Sequence, residues 1–320
     1  MPHVLVAGKL HQLGRDILES APDITATYID DISEDSYTPH IAKADALLIR
    51  TQALTSPTID RAERLKVVSR HGVGYDAVDV AALNERGIAL AVCGDVNSTS
   101  VAEHACMLIL AAFKRALRAD VAVRRGPWGW RNQLESQDIR GRNLLILGFG
   151  RIGQNTARMM SGFGMNIRAH DPYLHRHGWP EGGIPAFEDL GEALGWADVI
   201  SVSAPKGDRP LIGAAEFEAM KPGVVIVNTA RGGIVDEREL AKHLKSGKVS
   251  AAGLDVFEAE PLPAIHPLKG FDQVILSPHI AGVTEGAAQR MAVSSAQNVL
   301  DFFAGTLDPA LIVNRAQIGR

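Results

Sequence analysis

The chain runs to 320 residues with a formal charge of −4, 46% hydrophobic residues and only 5% aromatics. That length exceeds one ordinary hydrophobic core, so two domains built on Ala, Val, Leu and Ile are expected. The small net charge gives no reason to expect a nucleic acid or an acidic membrane as partner, and no run of like charges forms a tail.

The N-terminus enters a strand at once, with His3-Val-Leu-Val-Ala7, and no basic stretch leads into an apolar signal core. Short apolar runs predict strands at 4–7, 25–28, 46–49, 67–69 and 88–91, with amphipathic helices at 12–20, 57–62 and 78–86 between them. Such alternation implies parallel βαβ units. One long helix is expected over 101–124, with Ser100 as N-cap and Glu103 at the capping-box position. Its most apolar stretch, 105–113, falls well short of the roughly 20 apolar residues that a membrane span needs. Cys93 and Cys106 sit in apolar surroundings without metal-ligand spacing, and read as free buried thiols of a cytoplasmic protein. A loop over 126–142 carries Trp128 and Trp130, which read as interface or hinge aromatics, with substrate contact as the alternative.

A second series follows, with strands at 143–147, 166–170, 199–203, 224–228, 251–254 and 274–276. Helices are expected at 152–162, 187–194, 214–220 and 237–246, and a last helix over 285–303 precedes a tail, 308–320. The first turn of this series is Gly148-Phe-Gly-Arg-Ile-Gly153, and Asp171 stands eighteen residues beyond its last glycine, at the end of the next strand. Strand, glycine turn, helix, strand, carboxylate is the dinucleotide-binding fingerprint in its structural context. Gly148 makes the tight turn, Gly150 lets a pyrophosphate approach the backbone, and Gly153 lets helix and strand pack closely. The helix N-terminus, from Arg151 and Ile152, offers N–H groups to phosphate. Asp171 suits ribose hydroxyls and repels a 2′-phosphate, which favours NAD over NADP. The fold class is therefore α/β, with two doubly wound parallel-sheet domains: a Rossmann domain over 99–289 inserted into a flavodoxin-like substrate domain over 1–98 and 290–320.

If NAD binds, hydride transfer is the simplest chemistry. It needs a general acid/base, a cation for a carbonyl or carboxylate, and a group that tunes the base, all near C-terminal strand ends. Three segments fit: Asn228-Thr-Ala-Arg231, Asp255-Val-Phe-Glu-Ala-Glu-Pro261 and Ser277-Pro-His279. Guanidinium forks suit carboxylates, histidine titrates near neutral pH, and a carboxylate beside it stabilises the imidazolium. His170, His175 and His177 cluster near Asp171, but no metal is expected, and His170 reads as bordering an adenosine pocket or facing solvent.

These motifs together resemble the D-2-hydroxyacid dehydrogenase family over nearly the full length. The resemblance implies His279 as general acid/base, Glu260 as its partner and Arg231 as the residue that orients a 2-oxo acid. It implies that Asp255 holds the nicotinamide carboxamide, that Pro205 lines the adenine pocket, and that Thr229 belongs to the cofactor site. His71-Gly-Val-Gly-Tyr-Asp76 is similar to the family's substrate loop, where the Val73 and Gly74 N–H groups receive the carboxylate. Asn97 and Arg50 would also reach substrate. Gln52 stands where phosphoglycerate dehydrogenases often place a second arginine, and Ser203-Ala-Pro-Lys-Gly207 lacks the family's usual histidine and threonines. No regulatory serine-binding domain follows within the sequence. The resemblance implies an oxidoreductase acting on 3-phosphoglycerate, hydroxypyruvate, glyoxylate or a bulkier 2-oxo acid, and a homodimer formed around the nucleotide domain. The alternative is an NAD(H)-sensing scaffold like the corepressors built on this fold. Formate dehydrogenase relatives carry glutamine where Glu260 stands.

Overall fold

The computed structural model describes residues 1–180 and 183–319. The chain divides into two compact units, Met1–Asn97 with Thr284–Arg320, and Ser98–Val283. The expected boundary at 290 falls inside a helix, Glu285–Ala304, which Thr284 caps through its hydroxyl, so the second junction lies ahead of that helix. The last residue of the expected 290–320 segment lies outside the described residues.

The first unit holds strands β1 (His3–Ala7), β2 (Thr25–Ile29), β3 (Ala46–Ile49), β4 (Val67–Arg70) and β5 (Ala89–Val92) in the order β2-β1-β3-β4-β5, all parallel. This is the flavodoxin-like order. Both faces are covered, so the strands read as near-continuous apolar runs. Val4, Val6, Ala46 and Leu48 pack with Ala292, Ala296 and Val299 on one face, and Leu5, Ala7, Leu47 and Ile49 with Tyr37, Ile41 and Leu83 on the other. The tail seals the β5 edge: Val313 N–H donates to Leu90 O, and the Asn314 amide bonds Leu90 N–H, Ile88 O and Asn84.

The second unit holds β6 (Asn143–Leu147), β7 (Asn166–His170), β8 (Val199–Val202), β9 (Val224–Asn228), β10 (Val249–Leu254) and β11 (Val274–Leu276) in the order β11-β10-β9-β8-β6-β7, again all parallel. All six expected strands are present. A further strand beyond β7 is reduced to one bridge, Ala169 to Ala186, flanked by Phe187 N–H to Ala169 O. This corrects the expected helix at 187: Phe187 is bridged to β7, and the helix begins at Leu190, where Asp189 caps it by accepting Glu192 N–H at 2.7 Å.

Two other corrections concern the long helix. It starts at Ser98, so Ser100 lies buried in its first turn rather than at the cap. It also breaks into Ser98–Lys114 and Ala116–Arg125, because Arg115 takes a left-handed conformation (φ 52°) and donates from its guanidinium to Ser250 O at 2.9 Å. No proline or glycine marks that break in the sequence. The structure also adds a short helix, Pro172–His177, that hydrophobic periodicity did not indicate.

The helices Gln12–Ser20 and Glu285–Ala304 approach closely at Gly14, where a Cβ would lie 2.8 Å from Ala292 O. Gly14→Ala adds roughly 1 kcal/mol of helix propensity in isolation. It is nevertheless expected to lower stability by about 1–3 kcal/mol, because the two helices must separate. Urea unfolding midpoints check this, with Gly129→Ala, whose Cβ meets nothing within 4 Å, as the neutral control.

Candidate active site

The six strands of the second unit end level. His170 pairs with Leu147, Leu147 with Val202, Val202 with Asn228, Asn228 with Leu254 and Leu254 with Leu276. The residue that follows on each strand is therefore Asp171, Gly148, Ser203, Thr229, Asp255 or Ser277, arrayed along one edge. The strand order reverses between β6 and β8, which is where open α/β sheets bind ligands.

At that point Gly148 turns with φ +88°, and a Cβ there would lie 2.6 Å from Ala204 N. Gly153 packs on the same turn, since its Cβ would lie 2.3 Å from Gly148 O, whereas Gly150 faces open space. The helix Arg151–Ser161 has no side-chain cap, although those beginning near Asp79, Asp171, Asp189, Asp236 and Thr284 all do. Its first N–H groups thus keep their capacity for an anion. Asp171 does more than face outward. Its Oδ2 accepts Phe149 N–H at 2.8 Å and its Oδ1 accepts Tyr173 and Leu174 N–H at 3.0 Å, tying the glycine turn to the end of β7. The Asp-Pro pair at 171–172, a cap followed by proline at the first helical position, carried that signal. Ser203 Oγ and Thr229 Oγ1 are buried without a partner among the described residues. An uncapped helix end, an open Gly150 and two orphaned hydroxyls on one edge fit a dinucleotide. Pro205 lies exposed just beyond Ser203.

On the other half of the edge, Asn228 is buried and shapes the turn after β9. Its Oδ1 accepts Ala230 N–H and its Nδ2 donates to Arg231 O. Gly232 lets this turn rest on the next segment, since a Cβ there would lie 1.7 Å from Phe257 O. The Arg231 guanidinium donates to Ala230 O at 2.7 Å. Asp255, fully buried after β10, accepts from Ile280 N–H, Ala281 N–H and the Ser277 hydroxyl. Because Ser277 donates to Asp255, its oxygen accepts from His104 Nε2–H at 2.9 Å. Asp255, expected at the carboxamide, thus organises the histidine turn with both of its oxygens. Asn228, Ser277 and His104 were not singled out by sequence; only the asparagine at a strand end before a turn was a signal.

That organisation holds His279 in the left-handed region (φ 54°), with its N–H donating to Asp255 O at 2.8 Å. The ring Nδ1 lies 2.7 Å from Glu260 Oε2, while Glu260 Oε1 accepts Phe257 N–H at 2.9 Å. The two side chains are 50% and 36% exposed. An ion pair that open adds about 0–1 kcal/mol to stability, so its consequence is orientation: a carboxylate on Nδ1 leaves Nε2 as the nitrogen available to a reactant.

Arg50, Val73, Gly74 and Asn97 belong to the first unit. Arg50 donates to Lys9 O at 2.8 Å, and its buried Nε has no partner among the described residues. Gln52 is buried, accepting Arg50 N–H and donating to Asp31 O, so it braces the loop after β3. Val73 packs beside Cys93, Val96 and Met291, and among the described residues nothing accepts the Val73 or Gly74 N–H. Asn97 ends the first segment of its unit, half-buried. Both cysteines are free and buried, and among the described residues no helix is long and apolar enough to cross a membrane and no cluster of His, Cys, Asp and Glu could hold a metal.

Residues 106–281 match the family described as D-isomer specific 2-hydroxyacid dehydrogenase, NAD binding domain. The chain is 36% identical over 310 residues to a D-3-phosphoglycerate dehydrogenase of Methanocaldococcus jannaschii, covering 96% of this chain and 58% of that relative. It is 36% identical to a glyoxylate reductase of Thermofilum pendens, covering 97% and 94% of the two chains. The crystal structure of the TT0316 protein from Thermus thermophilus superposes with a TM-score of 0.86 at 30% identity, covering 96% of this chain and 98% of that one. The chain belongs to the D-isomer specific 2-hydroxyacid dehydrogenase family. The second unit carries that family's NAD-binding domain. The chain spans 58% and 52% of the lengths of the two archaeal phosphoglycerate dehydrogenases it matches.

In the first unit, burial and the charges of Arg50 and Arg70 push His71, beside Val73 and Gly74, down to about 4 from an ordinary 6.5. Between those values the unfolded chain binds more protons than the folded one, so stability rises with pH. The urea midpoint of the wild type is expected to fall as pH drops from 6.5 to 4, with about 3 kcal/mol lost from this group. His71→Asn is expected to flatten that part of the profile.

Proposed function

We propose that this chain is an NAD-dependent D-2-hydroxyacid dehydrogenase that interconverts a small 2-oxo acid and its D-2-hydroxy acid. The observation that carries the reading is the 2.7 Å contact of His279 Nδ1 with Glu260 Oε2, on the same sheet edge as the glycine turn and its uncapped helix. Bound NADH would supply the hydride. The N–H groups of Arg151, Ile152 and Gly153 take its pyrophosphate, Asp171 its ribose hydroxyls, and Ser203, Pro205, Thr229 and Asp255 line the remainder of its path.

In reduction, the His279 imidazolium gives its Nε2 proton to the carbonyl oxygen. It is left as the Nδ1–H tautomer that Glu260 already accepts from, so the pair needs no rearrangement. In oxidation the same tautomer presents the Nε2 lone pair to the hydroxyl proton. Arg231 matches the carboxylate and carbonyl oxygens in charge and geometry. The unpartnered N–H groups of Val73 and Gly74 serve the substrate carboxylate, with Asn97 and Arg50 as further contacts. Gln52 is neutral where a second arginine would stand, and its buried amide is already engaged, so it offers a phosphate neither a cation nor a free donor, which favours glyoxylate or hydroxypyruvate over a phosphorylated acid. Two free buried thiols suit a reducing, cytoplasmic setting.

Steady-state turnover against glyoxylate, hydroxypyruvate, phosphohydroxypyruvate and branched or aryl 2-oxo acids tests this. Wild type is expected to use NADH at least about tenfold better than NADPH, and His279→Ala to lower kcat by about 10²–10⁴-fold with NADH binding retained. Absence of turnover on every acid, with NADH still bound, would favour a nucleotide-sensing scaffold instead.

We also propose a homodimer formed through the second unit. The helix Ala116–Arg125 buries none of its residues and exposes Leu117 (51%), Val121 (49%) and Val123 (66%), with Trp128 (68%) beyond it. Light scattering is expected to give twice the chain mass, and Leu117→Asp with Val121→Asp to return it to the monomer value.

A further inference from the structure

Two carboxylates hold consecutive amides of the turn that carries Glu260. Phe257 N–H donates to Glu260 Oε1, and the next N–H, that of Glu258, donates to Glu237 Oε1 at 2.6 Å. Glu237 is the first residue of the helix Glu237–Ser246, downstream of the Arg231 turn. The grip is reciprocal, since Glu237 N–H donates back to Glu258 Oε1 at 3.3 Å. The second oxygen of Glu237 lies 3.2 Å from His266 Nε2, and His266 Nδ1 accepts Leu268 N–H. A neutral ring protonated on Nε2 satisfies both contacts.

Glu237 is only 7% exposed, a rare location for a glutamate. Burial raises its carboxyl above the usual range, and the Glu258 and Asp236 charges add to this. The Glu258 N–H opposes it. Lys206 is close by, since a Cβ at Gly233 would lie 3.2 Å from its Nζ and 3.8 Å from Glu258 Cγ. A buried carboxylate is tolerated only where its partners are specific, and here the best-placed partner is an amide two residues from Glu260.

We propose that Glu237 is a positioning residue for the Glu260–His279 pair. By fixing Glu258 N–H it sets the 257–260 turn so that Glu260 reaches both Phe257 N–H and His279 Nδ1. This rests on the roles given above to Glu260 and His279. Removing the Glu237 carboxylate frees the Glu258 amide beside the one that anchors Glu260, and the Glu260 carboxylate loses its hold on the imidazole.

The ¹⁵N shifts of the His279 ring, assigned against His279→Ala, report which nitrogen carries the proton in the neutral state. Measured on the full chain with NAD⁺, wild type is expected to show the Nδ1–H tautomer. Glu237→Ala is expected to shift it toward Nε2–H, and Glu237→Gln, whose amide oxygen still accepts from Glu258 N–H but whose NH₂ faces the His266 Nε2–H, to restore it in part. In turnover, Glu237→Ala is expected to lower kcat about tenfold or more with KM within about twofold. That loss should vanish in a Glu260→Ala background. Glu237→Asp, with its oxygens drawn back by one methylene, is expected to fall between, and serves if the alanine variant does not fold. A wild-type tautomer in Glu237→Ala and Glu237→Asp, or an equal kcat loss with and without Glu260, would overturn the proposal. The tautomer needs no turnover, so an inactive wild type would sink the enzymatic reading while leaving this inference decided.

Discussion

The second unit is organised by the level ending of its parallel strands. Six Cα partners stand in one row, from His170 through Leu147, Val202, Asn228 and Leu254 to Leu276. Parallel pairing makes every C-terminal end face the same way, and both faces of the sheet are closed by apolar side chains. The next residue on each strand is thereby placed at one edge, beyond the apolar core, where polar groups can meet one another. A one-residue slip of β10 against β9 would turn its apolar set from one face to the other. The packing of Ala252 and Leu254 on one face and Ala251 on the other therefore also fixes where Asp255 and the Glu260 turn emerge.

Beyond that edge, loops are held by carboxylates that accept backbone N–H groups. Asp171 gathers three, from Phe149, Tyr173 and Leu174. Asp255 takes two and a hydroxyl, and Glu260 and Glu237 take one each from adjacent residues. Charge-assisted bonds of this type are stronger than neutral ones, and each gives a loop N–H its partner. The left-handed backbone at His279 illustrates the balance. Such a conformation in a non-glycine residue is of order 1–3 kcal/mol unfavourable, and the Asp255 carbonyl and carboxylate together supply the bonds that hold it.

What was legible in the sequence follows the same division. The strands were readable because burial on both faces writes runs such as Asn143-Leu-Leu-Ile-Leu147 and Val224-Val-Ile-Val-Asn228 directly into composition. The pairing of Glu260 with His279 was readable as motif and order. The break at Arg115 was not, because it depends on a contact with Ser250, 135 residues away, and no local residue demands it. The sequence around Phe187 reads as helical for a related reason: its bond to Ala169 is one that periodicity cannot see. Local preference decides an element only where tertiary hydrogen bonds do not override it.

The same distinction separates Glu258 from Glu260. In sequence they are two acids flanking one alanine, and the proline that follows Glu260 is what sets it apart. The structure differentiates them by which amide each turn position leaves free. Glu260 folds back on Phe257 N–H and keeps one oxygen for an imidazole, whereas Glu258 turns toward the start of a helix and exchanges backbone bonds with Glu237. Interchanging their tasks would require moving the turn by two residues, and Gly232, packed against Phe257 O, leaves no room for that shift. The chemistry of the site is thus set less by which acidic residues are present than by the backbone that decides where each carboxylate points.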